Sequence, residues 1–224
     1  MVTWSYSAIK TYEQCPHKYK NLYVTKEVKD TGNEATAYGT LMHQAAEDRL
    51  KSGTPIPETF KKLVPVVEAL DRLPGEKHTE LRLGVKKAPT ETGFAPCGFF
   101  DPDVWMRTVV DVLVINGPKG KLVDYKSSKN ARYADTRQLD IMAAATFITY
   151  PDVQEIKSGL AFVVCDDWVP KTHKVEKLTT YIGVFNPELE KLEASLEGDV
   201  WPKKSGPLCG WCPVKKCEFH RVRR

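Results

Sequence analysis

Two short runs of β-branched and aromatic residues, Val109 to Ile115 and Leu122 to Tyr125, flank the turn cluster Asn116-Gly117-Pro118-Lys119-Gly120. That pattern predicts a β-hairpin. Alternation along its second strand sends Asp124 and Lys126 to one side and Tyr125 to the other, and Asp111 joins the first two from the neighbouring strand. Upstream, apolar positions recur at helical spacing. Residues 3–23 carry Ile9, Tyr12, Tyr19, Leu22 and Tyr23, with Ser5 or Ser7 as N-cap and Pro16 in the first turn of a second helical piece. Ala37 to Leu50 predicts a helix that begins around Gly39 and holds His43 in its first turn, one turn before Glu47. Residues 56–73 predict a further helical stretch, opened by Pro57 and interrupted at Pro65.

From Glu80 the pattern changes to strands: ELRLGV, a turn-rich segment through Gly93 and Pro96, then Asp103 to Ile115. Glu80 alternates with Arg82, which makes it available to the same site and equally suits an exposed glutamate. Ala134 to Tyr150 is the clearest amphipathic helix, its stripe of Leu139, Met142, Ala143, Thr146, Phe147 and Tyr150 reading as core packing, with Gln138 beside it. Gly159 to Cys165 and Thr179 to Phe185 are strand candidates, and Pro187 to Glu197 a helix ended by Gly198. The expected organisation is one α/β domain over 1–224, with a mainly helical part at 1–75, a sheet-and-helix part at 76–186 and a helix with a cysteine-bearing tail at 187–224.

Composition changes this picture little. A chain of 224 residues can bury a substantial core, and 42% hydrophobic with 28% charged residues is ordinary for a soluble protein. The absence of an apolar run of about eighteen residues, and of signal-peptide features in MVTWSYSAIK, predicts the cytoplasm and no membrane partner. The net charge of +4 is mild, but Lys203, Lys204, Lys215, Lys216, Arg221, Arg223 and Arg224 give the tail a basic character. Of the six cysteines, Cys97 and Cys165 read as ordinary buried residues, whereas Cys209, Cys212 and Cys217 form C-x2-C-x4-C and Cys15 lies near the start.

The chemistry centres on the hairpin. A carboxylate on an apolar strand is costly to bury unless it is paired or binds a metal, so Asp111 and Asp124 beside Lys126 suggest a hard-cation site. A surface hairpin with one Asp–Lys ion pair fits the same residues. His43, taken alone, reads as an ordinary helix residue.

Several motifs occur in one order: S-x-S-x-I-x-x-Y-x-x-C-P-x-K-Y from Ser5 to Tyr19, G-x-x-x-H at Gly39 and His43, the Asp111 strand, Asp124-Tyr125-Lys126, Gln138 and the cysteine triplet. In this the chain resembles the PD-(D/E)xK nuclease superfamily, and within it the RecB-like and Cas4-like branch with its stand-alone phage and bacterial exonucleases. The resemblance implies a restriction-endonuclease-like mixed sheet flanked by helices. It also implies that His43, Asp111, Asp124 and the Tyr125 carbonyl hold Mg²⁺ or Mn²⁺, with Glu80 a weaker match to an additional acidic position. Lys126 would orient or deprotonate the attacking water, and Gln138 would position Lys126 or the substrate. Cys15, Cys209, Cys212 and Cys217 would hold one structural [4Fe–4S] cluster, with zinc as the alternative. Two positions depart from the pattern: Thr108 replaces the glycine that usually precedes the metal aspartate, and Met142 stands where a tyrosine commonly follows the glutamine.

The expected activity is therefore a metal-dependent DNA exonuclease preferring single-stranded or free-ended DNA, in recombination, repair or phage DNA processing, in a bacterial or phage-infected cytoplasm. Recombination, replication or integrase proteins are the partners this implies. Lys18, Tyr19, Lys203, Lys204 and Trp211 are the candidate DNA contacts, by stacking and phosphate pairing. The rival readings are a Cas4-like DNA-trimming factor working with integrase partners, and a non-catalytic Fe–S or zinc DNA-binding module. The intact His43, Asp111, Asp124 and Lys126 set argues against the second.

Overall fold

The computed structural model describes residues 2–220. In chain order the elements are β1 (Trp4–Ser5), α1 (Tyr6–Gln14), α2 (Pro16–Tyr19), α3 (Glu34–Ser52), α4 (Val64–Asp71), β2 (Glu76–Lys87), β3 (Phe94–Cys97) and β4 (Met106–Asn116). Then follow β5 (Lys119–Lys126), α5 (Arg137–Thr149), β6 (Glu155–Phe162), β7 (Asp167–Lys174), α6 (Leu178–Gly183) and α7 (Asn186–Gly198). The chain divides into two compact units: Gly32–Gly183, and Met1–Thr31 together with Val184–Arg224. Among the described residues no helix is long and apolar enough to cross a membrane.

The Gly32–Gly183 unit is built on six strands in the order β3-β2-β4-β5-β6-β7. The predicted hairpin is β4–β5, and its register pairs Asn116 with Lys119, so the loop is only Gly117-Pro118. Gly117 supplies the positive φ, 56°, that so tight a connection requires. β5 runs parallel to β6, and the other neighbouring pairs are antiparallel. One core cluster joins Met42, Ala45 and Ala46 of α3 to Val112, Val114, Val123 and Tyr125 of the sheet. α3 begins earlier than expected because Asn33 caps it, its side chain accepting from the Thr36 N–H at 3.1 Å. His43 therefore sits in the middle of the helix rather than in its first turn.

Helix α5 is buried continuously from Leu139 to Phe147, so its apolar positions wrap the helix instead of forming one stripe. Its one buried charge, Asp140, is satisfied by Lys171 at 2.7 Å and His173 at 2.8 Å, and His173 in turn contacts Ser158 at 3.2 Å. This network ties α5 to β6 and β7, close in sequence to Gln138.

Four expectations are corrected. Thr179–Phe185 is not a strand: Leu178, Tyr181 and Ile182 are buried at helical spacing in α6, despite the β-branched composition. The strand beside β6 is instead β7, whose polar sequence and Pro170 suit an edge position. Pro65 opens α4 at its first turn rather than interrupting a helix. Cys165 is exposed and Cys97 only half-buried, so neither is an ordinary core cysteine.

In the other unit, Ser5 caps α1 by accepting from the Ala8 N–H. The Tyr12 hydroxyl lies 2.7 Å from both the Lys191 carbonyl, to which it donates, and Ser195 Oγ. Tyr19 stacks on Trp201 with ring centroids 6.0 Å apart, and burial pushes its phenol up to about 12. α7 runs through Gly198 and ends at Asp199, whose φ is 49°. Lys20 (2.8 Å) and the Trp201 indole N–H (2.6 Å) hold that carboxylate and keep its pKa below the ordinary value.

Candidate functional site

The β4–β5 ladder pairs Val112 with Val123. One residue further on, a side chain takes the place of the main chain: Asp111 Oδ2 accepts the Tyr125 N–H at 2.7 Å. That bond fixes a buried carboxylate by a backbone donor. On the opposite side of β4, the pairs Thr79–Val112 and Leu81–Val110 bracket Glu80 and Asp111. Glu80 has φ 49°. A non-glycine residue in the left-handed region costs roughly 1–2 kcal/mol, and such strain concentrates at functional sites.

The kink accompanies a convergence of side chains. His43 Nδ1 lies 3.4 Å from Asp111 Oδ2 and 3.7 Å from Glu80 Oε1, and ligand atoms of all three residues fall within 4.8 Å of one another. His43 Nε2 is 3.0 Å from the Tyr125 carbonyl. Donation to that carbonyl leaves Nδ1 directed at two carboxylates, an arrangement that requires a proton or a cation between them. In the metal-free protein burial opposes the imidazolium, but hydrogen bonds to Asp111 and Glu80 outweigh it and hold the His43 pKa up at about 10.

Asp124, Lys126 and Gln138 form the second half. Gln138 donates from Nε2 to Asp124 Oδ1 at 2.7 Å and accepts from Lys126 Nζ at 2.7 Å. Lys126 Nζ also pairs with Asp124 Oδ2 at 2.6 Å. Burial, reinforced by Asp111, pushes the Asp124 carboxyl up to about 7 against the pull of Lys126 and His43. The Tyr125 ring is buried on the core side and its phenol pKa is raised by burial and by Asp111.

All seven central positions singled out in the sequence thus sit in one unit. His43, Glu80 and Asp111 converge as a potential ligand trio; Asp124 turns toward Lys126 and Gln138, and the Tyr125 carbonyl is engaged by His43. Beside the trio lies a groove of about 690 Å³ lined by Thr36, Gly39, Thr40 and Glu47 with Arg82 and Ser127. A Cβ on Gly39 would stand 3.2 Å from Ser127 Oγ, which gives the first residue of G-x-x-x-H a packing reason. Arg82 and Ser127 escaped the sequence reading, although each lies within two residues of a position it had flagged.

In the other unit Cys15, Cys209, Cys212 and Cys217 all line one cavity of about 200 Å³. The Lys204 N–H points at Cys15 Sγ (3.5 Å) and the Gly206 N–H at Cys209 Sγ (3.3 Å). Burial raises the Cys212 thiol, opposed by the Val214 amide and Lys18.

The expected DNA contacts divide. Tyr19 is buried in an aromatic core and presents no stacking face to solvent, which corrects that assignment. Lys18 bonds Gln14, Lys203 pairs with Glu218, Lys204 donates to the Glu13 carbonyl, and Trp211 is exposed. Trp201 is a core residue. Arg221, Arg223 and Arg224 lie outside the described residues.

The mixed sheet flanked by helices thus carries its carboxylates and lysine on three neighbouring strands, in mid-strand on β2 and β4 and at the end of β5. Residues 3–217 match the PD-(D/E)XK nuclease superfamily, and the chain belongs to it. Two of the solved structures that share the fold illustrate it. One is the protein SSO0001, 12% identical with a TM-score of 0.51, covering 98% of this chain and 88% of its own. The other is a candidate exonuclease from Eubacterium rectale, 13% identical with a TM-score of 0.51, covering 99% of this chain and 89% of its own. No curated protein matches the sequence.

Proposed function

We propose that this protein is a divalent-metal-dependent DNA exonuclease that hydrolyses phosphodiester bonds in single-stranded or free-ended DNA, in recombination, repair or phage DNA processing. The observation that carries the reading is the His43–Glu80–Asp111 trio beside the Asp124–Lys126–Gln138 chain. Its donor set is two carboxylate groups and one imidazole, which fits Mg²⁺ and makes Mn²⁺ a good occupant. A cation held there would polarise a phosphoryl oxygen and lower the pKa of bound water.

The protein's own residues supply the rest. The Tyr125 N–H fixes Asp111, and the Tyr125 carbonyl fixes the His43 ring, so the ligand geometry is prepared before binding. Gln138 holds the Lys126 ammonium in place. From there Nζ can donate to the attacking water or to the charge growing on the phosphoryl oxygens. Asp124, buried and paired with Lys126, keeps that ammonium oriented.

The four cysteines fit a [4Fe–4S] cluster with a structural role. They line one cavity, and two of the sulfurs face backbone N–H donors, which supports a thiolate-held group there. The test is anaerobically purified protein incubated with 5′- and 3′-labelled single-stranded DNA and Mg²⁺ or Mn²⁺, with Asp124→Ala in parallel. Metal-dependent shortening that the variant lacks is expected. DNA binding without cleavage under either metal would leave a binding module, and a colourless protein with stoichiometric zinc would replace the iron–sulfur assignment.

A further inference from the structure

A second feature of the Gly32–Gly183 unit has no part in holding metal. Phe100 is 73% exposed, a large ring left in solvent on the segment between β3 and β4. It meets Phe99 edge to face, with centroids 5.1 Å apart. Two guanidinium groups attend the pair: Arg82 stands 5.9 Å from the Phe99 ring, and Arg107 stands 5.5 Å from Phe99 and 5.7 Å from Phe100. The sheet explains the cluster. Arg82 pairs with Val109 and Gly84 with Arg107, so the two arginines lie on one face of β2–β4, a single diagonal step apart. The turn carrying Phe99 is laid across that face at Gly84, where a Cβ would come within 2.7 Å of the Gly98 carbonyl.

The patch is continuous with the groove. Arg82 lines the groove beside the trio, two residues from Glu80. Arg107 lies four positions before Asp111 on β4, roughly 13 Å of strand. Its Nε is buried without a hydrogen-bond acceptor among the described residues. A phosphodiester chain held at the trio would therefore run past Arg82 toward an exposed ring flanked by Arg107.

From this we infer that Arg82, Phe99, Phe100 and Arg107 form a contact site for an unpaired DNA strand next to the scissile bond, with a base stacked on Phe100 and the arginines on neighbouring phosphates. The inference rests on the nuclease reading for its direction. Aromatic rings with adjacent cations are the means by which proteins hold single strands without sequence preference, because every base offers a π-face while arginine neutralises the backbone. A base paired in a duplex offers no free face, so the site favours unpaired DNA.

The test uses full-length protein in EDTA, so that binding is read without cleavage, and compares wild type with Phe100→Ala. Phe100 is exposed, so its loss leaves the fold intact. Fluorescence anisotropy should show affinity for single-stranded DNA lowered about 10-fold, with affinity for blunt duplex and for an abasic sugar–phosphate strand unchanged. Phe100→Trp should restore affinity, and its fluorescence should be quenched by the single strand. Equal binding by Phe100→Ala and wild type would overturn the inference, as would equal losses on the abasic strand. A change in oligomeric state without a change in DNA affinity would assign the face to a second copy of the chain. Hydrolysis of a small nucleotide aryl diester with Mn²⁺ is read separately: activity absent in wild type overturns the nuclease reading, whereas activity kept in Phe100→Ala with weakened strand binding supports both.

Discussion

The two candidate ligand sites are built in opposite ways. The carboxylate centre stands on the six strands of the Gly32–Gly183 unit, and its parts are fixed by the protein alone: Asp111 by a backbone N–H, His43 by a backbone carbonyl, Lys126 by Gln138. The cysteine cavity is framed by the α1–α2 junction and by turns from Lys204 to Cys217, with a single short 3-10 helix among them. Where regular structure positions the donors, a bound metal would be a guest. Where it does not, a bound group would become part of the framework.

The largest expected effect tests the first half of that contrast. Asp111→Asn keeps an acceptor for the Tyr125 N–H but removes a charge from the trio. Mn²⁺ affinity by calorimetry should fall more than about 100-fold, since even outer partners of a ligand are worth 10–100-fold. The melting temperature should stay within about 3 °C of wild type. A large drop in melting temperature would show that the sheet does not prepare the site.

The second half is tested by Cys15→Ala. Opening a clip across so long a loop should lower the unfolding temperature of its own unit by roughly 10 °C and abolish the visible absorption. Mn²⁺ binding at the trio should remain within about twofold. A smaller effect is expected for Gln138→Ala, which frees the Lys126 ammonium: kcat should fall about 10- to 100-fold with KM little changed. A matching rise in KM would make Gln138 a substrate contact instead.

The smallest prediction concerns protons in the aromatic core. Burial holds the Tyr19 phenol at about 12, above the ordinary value of 10.0. Below pH 10 both folded and unfolded chains keep the proton. Between pH 10 and 12 only the unfolded chain releases it, so stability falls as pH rises through that window. Urea midpoints at pH 9 and 11 should differ less for Tyr19→Phe than for wild type.

The hairpin of the candidate site was legible from local rules, and His43 and Gln138 only from the order of the motifs. The hairpin is written in β-branched runs around Gly117-Pro118, and the order of Gly39, His43, Asp111, Asp124, Lys126 and Gln138 survives folding. What was not legible depended on tertiary context. Glu80 looked like either a surface or a site residue, and only its place opposite Asp111, with a left-handed backbone, decides between them. Tyr19 read as a DNA contact because its neighbours are lysines, yet Trp201, far along the chain, buries it. β7 hid behind Pro170 and polar residues because an edge strand needs neither alternation nor every N–H. α6 was misread because packing overrode β propensity at Thr179, Thr180 and Ile182.

One unit is assembled from Met1–Thr31 and Val184–Arg224, with the whole of Gly32–Gly183 between them. During synthesis this fixes an order of events. The sheet can close while the chain is still being made, but Tyr12 cannot reach Lys191, nor Cys15 join Cys209, until more than 150 further residues have been added. At roughly 5–20 residues per second the first helices wait on the order of ten seconds or longer with their aromatic faces uncovered. The segment that carries α1 and α2 is therefore the part of this protein that a chaperone would have most reason to hold during synthesis.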